Sequence, residues 1–354
     1  MSFKKLSYLK RYNRIWLLCY YFVWLAMPGC QQKENQANES LNSQDSVAGK
    51  VEAPTTTKKS PPKRVLFPQK APAGQAFYLT QNYKTADLEK VKKQELAKWS
   101  KELNQEFGVA FKTLHTQKYF NVAYRCSEEK MKFLMYTLRK FFEQIYPVYF
   151  KYEPTYPFQI VYFNTKKEYS RYTGSEAYGF YLPKTRTLYT YGNSGEGTLW
   201  HELVHAFVAA NIDHRIQQWF SEGFASFYEM GAVYGDKFYE GYTNWRHPTL
   251  KRKIREEDDF MDLADFVSEK YMSEGYGYAK ARFLFCYLWI YNKMPEFVKI
   301  YLYELSPKYK GEELGEQVIK TLEKLLGKKM EAIEKDYKAI ALTYKKFVRL
   351  KKKN

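Results

Sequence analysis

The chain has 354 residues, with 57 lysines and arginines against 39 aspartates and glutamates, a formal balance of +18. Apolar residues at 45% and aromatics at 19% exclude a fully disordered chain, and only four cysteines exclude a small disulfide framework. No apolar run reaches the roughly 20 residues of a membrane-spanning helix, so a multi-pass membrane protein is excluded too.

The charge is concentrated at the ends. Residues 1–29 carry +5 with no acid, 31–75 carry +3 and 345–354 carry +6. The stretch 76–344 holds 39 basic and 35 acidic residues. A nearly balanced body with no recognition motif leads us to expect no nucleic-acid partner.

At the N-terminus, Lys4, Lys5, Lys10, Arg11 and Arg14 precede an apolar run from Ile15 to Met27, the pattern and length of an export signal. The run ends at Pro28, Gly29 and Cys30. A small residue followed by cysteine at this point resembles the lipobox of bacterial lipoproteins. That resemblance implies loss of 1–29, lipidation of Cys30 and anchoring in the bacterial cell envelope. Ordinary secretion and an uncleaved anchor are the alternatives. Residues 30–75 are rich in Gln, Asn, Ser, Thr, Lys and Pro and are expected to form a disordered tether.

A domain is expected over 76–344. Apolar spacing predicts a helix over 84–107, a strand at Phe120–Tyr124 and a helix capped by Ser127, with Met131, Leu134, Leu138, Phe141, Phe142 and Ile145 on one stripe and Pro147 as its stop. Phe158–Phe163 reads as a strand and Lys166–Tyr172 as a short helix. Strands Ala177–Leu182 and Thr187–Tyr191 flank a turn at Pro183–Arg186 and predict a hairpin. Beyond Gly192 the chain is expected to be mostly helical, giving an α+β fold with a small mixed sheet and a helical C-terminal half.

The chemistry sits at 198–208, TLWHELVHAFV. His201 and His205 stand at i and i+4 on one helix face, so both imidazoles can reach one ion. Glu202 follows the first ligand and is placed to take a proton from water. Two neutral imidazoles plus a carboxylate suit Zn²⁺ with one position left open. The longer pattern HExxHxxGxxH is excluded, because Val208 and Asn211 stand where glycine and histidine are required.

The third ligand is then sought downstream, in Trp219-Phe220-Ser221-Glu222-Gly223-Phe224-Ala225. This segment resembles the third-ligand helix of gluzincin metallopeptidases of the peptidase MA-like group. The resemblance implies a zincin-like fold, zinc held by His201, His205 and Glu222, and a peptide or protein substrate. A first-turn helix acid is the plainer reading of Glu222. Glu229 is expected to support a ligand rather than bind metal. Tyr276-Gly277-Tyr278-Ala279 resembles the family's tyrosine helix, which implies Tyr278 as oxyanion donor, with Tyr276 second. No Gly-x-Met-x-Asn strand precedes His201, so aminopeptidase activity is not expected.

Other groupings carry less. Gly192–Gly197 lacks the residues of a phosphate loop. Cys126 and Cys286 are either paired or two buried thiols. His115, His214 and His247 are expected to be structural or solvent-facing. Asp213 is either a second support for a ligand histidine or a turn acid. A non-catalytic, zinc-containing scaffold lipoprotein is the rival to a peptidase.

Overall fold

A computed structural model describes residues 85–346 except 117–118, 155, 257–259, 270–271 and 273–274. The expected signal, Cys30, the tether and residues 347–354 of the basic tail lie outside the described residues.

The elements in order are α1 (Thr85–Phe107), β1 (Lys112–Thr116), β2 (Phe120–Tyr124), α2 (Glu128–Tyr149), β3 (Phe158–Phe163), α3 (Lys166–Thr173), β4 (Gly179–Leu182) and β5 (Thr187–Tyr191). Then come α4 (Glu196–Ala209), α5 (Gln218–Phe227), β6 (Ala232–Tyr234), β7 (Lys237–Tyr239), α6 (His247–Glu256), α7 (Leu263–Ser268), α8 (Tyr276–Ile290), α9 (Met294–Ile300), α10 (Gly311–Leu326) and α11 (Met330–Thr343). The architecture is α+β. Among the described residues, no helix is long and apolar enough to cross a membrane.

The five-stranded sheet has the order β1-β2-β3-β5-β4. Its three inner strands run parallel, and β1 and β4 are antiparallel edges. Parallel central strands are covered on both faces, which is why β3 is apolar almost throughout. Its pleat sends Phe158, Ile160 and Tyr162 into the large core with α2 and α4. Val161 and Phe163 point the other way, into a smaller cluster with Trp99 and Leu103 of α1 and Tyr169 of α3. This two-sided packing fixes β5, and the turn after it launches α4 from the end of the sheet.

Ser127 caps α2 as expected, its Oγ accepting the Lys130 N–H at 3.3 Å. Pro147 does not stop the helix, which runs on to Tyr149. Pro147 sits in the last turn, where only one backbone bond is forfeited, and buried Tyr146 and Tyr149 hold that turn in the core. Strand β4 begins two residues later than expected. Strand β1 was not foreseen: in KTLHT only Leu114 is strongly apolar, and as a sheet edge it needs no more. The hairpin β6–β7, turning at Gly235-Asp236, also interrupts the expected helical run.

Three helices then build the floor of the site. Helix α4 buries Leu199, Trp200, Leu203, Val204, Ala206, Phe207 and Val208. Its other face holds the half-buried His201, Glu202 and His205. Trp200 stacks on Phe141 of α2 at 4.8 Å between centroids. Helix α5 crosses α8 closely at Gly223, where a Cβ would lie 2.9 Å from the Ala281 carbonyl. Larger side chains would push α5, and Glu222 with it, away.

Candidate metal centre

Helical periodicity puts His201 and His205 one turn apart, and both rings turn the same nitrogen to a common point. Their Nε2 atoms are 3.1 Å apart. Two nitrogens about 2.0–2.1 Å from one tetrahedral ion stand roughly 3.3 Å apart, so this spacing fits a pair of zinc ligands. Glu222 reaches in from α5, with Oε2 3.4 Å from His201 Nε2 and Oε1 3.7 Å from His205 Nε2. One donor from each of the three residues falls within a 4.8 Å spread. Their side chains are 13%, 19% and 15% exposed, so the cluster is sheltered yet reachable.

The opposite ring nitrogens are also occupied. His205 Nδ1 lies 3.2 Å from the Ser221 hydroxyl, the residue just before Glu222. His201 Nδ1 lies 3.2 Å from Glu229 Oε1, an ionic approach rather than a well-directed hydrogen bond. A carboxylate behind a ligand imidazole fixes its tautomer and raises its basicity. Glu229 therefore stands behind His201, not among the converging donors. Its other oxygen accepts from Asn244 Nδ2 at 2.9 Å and from Arg246 Nη1 at 2.5 Å. Gly197, one turn before His201, makes this possible: a Cβ there would lie 1.8 Å from the Glu229 carbonyl oxygen.

Three carboxylates and one arginine share this small volume. Burial opposes a charge on His201, but its contacts with Glu222 and Glu229 prevail and pull its pKa up. Burial pulls His205 down, against the attraction of Glu222 and with the repulsion of His201. Burial pushes Glu222 up, yet the histidines and Arg246 outweigh it and hold the carboxyl well below its ordinary range. The carboxylates around the cluster thus favour a positive charge at its centre.

Glu202 behaves differently. Burial raises it to about 7, against the attraction of His201 and with the repulsion of Glu222 and Glu229. It also accepts the backbone N–H of Tyr181 on β4. A carboxyl that titrates near neutrality, beside the cluster and anchored to the sheet edge, suits proton transfer.

The two candidate tyrosines diverge. The Tyr278 ring packs under the Arg246 guanidinium, 5.6 Å from centroid to Cζ, one contact from Glu229. Tyr276 turns to another face of α8, against Phe260. Asn211, standing where the excluded longer motif needs histidine, instead ties the fold together. It donates to Tyr146 Oη and Phe207 O and accepts from Tyr152 N and Tyr303 Oη.

Asp213 approaches His214, not a ligand histidine. His214 Nε2 also meets Ser306 Oγ at 2.7 Å, but Ser306 is fully buried, so this Asp-His-Ser grouping is a loop tie. His115 bonds Asn121, and His247 packs against Phe283. Cys126 and Cys286 are separate buried thiols.

Ser221, Asn244 and Arg246 were missed in the sequence. Ser221 adjoins Glu222 and was within reach of motif reading. Asn244 and Arg246 lie on an irregular segment with no periodicity to place them. No family model matches the chain, and neither does any curated protein.

Proposed function

We propose that the domain is a zinc-dependent peptidase of gluzincin type, with a zincin-like fold, tethered in the bacterial cell envelope through lipidated Cys30. The observation that carries the reading is the convergence of His201, His205 and Glu222 on one point, with Glu202 beside them but outside the donor set. His201, His205 and Glu222 would hold Zn²⁺. Bound there, zinc supplies Lewis acidity, lowering the pKa of water to about 7 and polarising a carbonyl.

The protein's own groups do the rest. Glu202 accepts the proton of the attacking water and returns it to the leaving amine. Tyr278 donates its hydroxyl to the developing oxyanion. Glu229 and Ser221 hold the two imidazoles in orientation. The N–H of Tyr181, on the edge strand β4, engages Glu202 and ties the base to the sheet.

Glu202→Gln tests the reading. It should keep its zinc by elemental analysis and lose peptide hydrolysis by about 100-fold or more. Undiminished turnover would sink the mechanism. Zinc-loaded wild-type protein that cleaves nothing in a broad peptide library would favour the scaffold lipoprotein instead.

A further inference from the structure

We infer that Arg246 is a substrate-binding residue that selects peptides by a carboxylate, either the C-terminal one or that of an acidic side chain. The inference rests on the peptidase reading and adds a substrate class to it.

The guanidinium stands close to the cluster. Nη1 donates to one oxygen of Glu229, whose other oxygen lies 3.2 Å from His201 Nδ1. One carboxylate and one imidazole therefore separate Arg246 from the converging Nε2 atoms, a contact path of about 10 Å or roughly three extended residues. A peptide with its scissile bond at the cluster can place a carboxylate near Arg246.

The arginine is only partly used. Glu229 is its single acceptor among the described residues, which leaves Nε and Nη2 for a ligand. The side chain is 24% exposed, so these donors are reachable. Balancing the charge of Glu229 needs one N–H, and a lysine would do it. The planar fork matches the two oxygens of a carboxylate, which a lysine does not.

The fork is also held in advance. Its Cζ lies 4.7 Å from the Trp245 ring centroid and 5.6 Å from that of Tyr278. Asn244 fixes the base of the residue, accepting the Arg246 N–H at 3.1 Å while donating to Glu229 at 2.9 Å. Trp245 is 60% exposed, and no packing demand accounts for a tryptophan there. As a wall beside the guanidinium it shields a bound carboxylate from water, which strengthens the pairing.

The test uses the full-length, zinc-loaded Glu202→Gln protein and three labelled peptides of one parent sequence. One has a free C-terminus, one is amidated, and one is amidated but carries an aspartate in place of an asparagine. At least one carboxylate-bearing peptide should bind about tenfold tighter than the neutral amide. Arg246→Lys should shrink that preference to within about threefold with zinc content unchanged. Trp245→Ala, which leaves the Glu229 contact intact, should weaken it by about threefold and serves if Arg246→Lys does not fold. Equal binding of all three peptides, or a preference that survives both substitutions, overturns the inference. Wild-type hydrolysis without any carboxylate preference removes this inference and leaves the peptidase. A preference in binding with no wild-type hydrolysis does the reverse.

Discussion

Two faces of α8 bury ionisable groups, and they do so to different ends. On one side the helix packs against α5 and presents Tyr278 to the Arg246 guanidinium. On another, Tyr276 and Lys280 face Phe260 and Phe266, with Glu334 and Asp262 as the nearest acids. In the first region the imidazole nitrogens and carboxylates meet polar partners, and the donors remain partly open to solvent. In the second, Lys280 is fully buried, and neither its Nζ nor the Tyr276 hydroxyl makes a hydrogen bond among the described residues. Rings fence the ammonium at 4.1 Å from Phe260 and 5.1 Å from Phe266. Burial of charge is common to both regions. Among the described residues, convergence of donor atoms on a reachable point belongs only to the first, and that is what makes it the candidate site.

The sharpest way to break this contrast is to loosen the support behind one proposed ligand, His201. Glu229→Gln keeps the shape of the side chain but removes the charge facing His201 Nδ1. Zinc affinity, measured by competition with a chelator, should fall about 10–100-fold. An unchanged affinity would mean that Glu229 only balances Arg246.

A smaller effect should appear in pH dependence. The His201 pKa is raised, so the metal-free protein holds that proton at neutral pH. A metal must displace it, so binding releases a proton and tightens as pH rises. Between about pH 6 and 8 the affinity should climb about tenfold per unit. A flat profile would show that His201 is already deprotonated and that the positive charge at the cluster comes from elsewhere.

Legibility in the sequence followed periodicity. The stripe of α2, the FQIVYF strand and the paired histidines each repeat with the period of their element, so a short window suffices to place them. Glu222 was reached through the Trp-to-Ala segment and a resemblance, because nothing in the spacing after His205 alone picks out one acid. Pro147 misled, since the rule for proline concerns an isolated helix and here the core holds the last turn. Most opaque was the stretch from Glu240 to Arg246. Its position depends on distant partners: Thr243 donates to the Lys346 carbonyl, Lys346 Nζ donates to the Glu240 carbonyl, and Arg282 donates to the Tyr242 carbonyl. No local pattern encodes contacts separated by 40 residues or more. Yet Asn244 and Arg246 enter the site only through them.

The other face of α8 offers the complementary experiment. Lys280→Met keeps most of the apolar stem, one heavy atom shorter, and removes an ammonium that has no hydrogen bond among the described residues. If this region is only a costly piece of core, the substitution should stabilise the domain by about 1–3 kcal/mol at pH 7 in urea unfolding. The gain should vary with pH in a fixed direction. Burial lowers the Lys280 pKa to about 7, while in the unfolded chain it keeps its ordinary value of 10.5. Between those limits the unfolded state binds a proton that the folded state does not, so wild-type stability rises with pH. The advantage of Lys280→Met should therefore be largest at or below about pH 7 and shrink towards pH 10. Zinc content and peptide hydrolysis should not change, because Lys280 faces away from the cluster. If Lys280→Met instead lowered either of them, the two faces of α8 would be coupled, and the buried lysine would belong to the site's machinery rather than to the core.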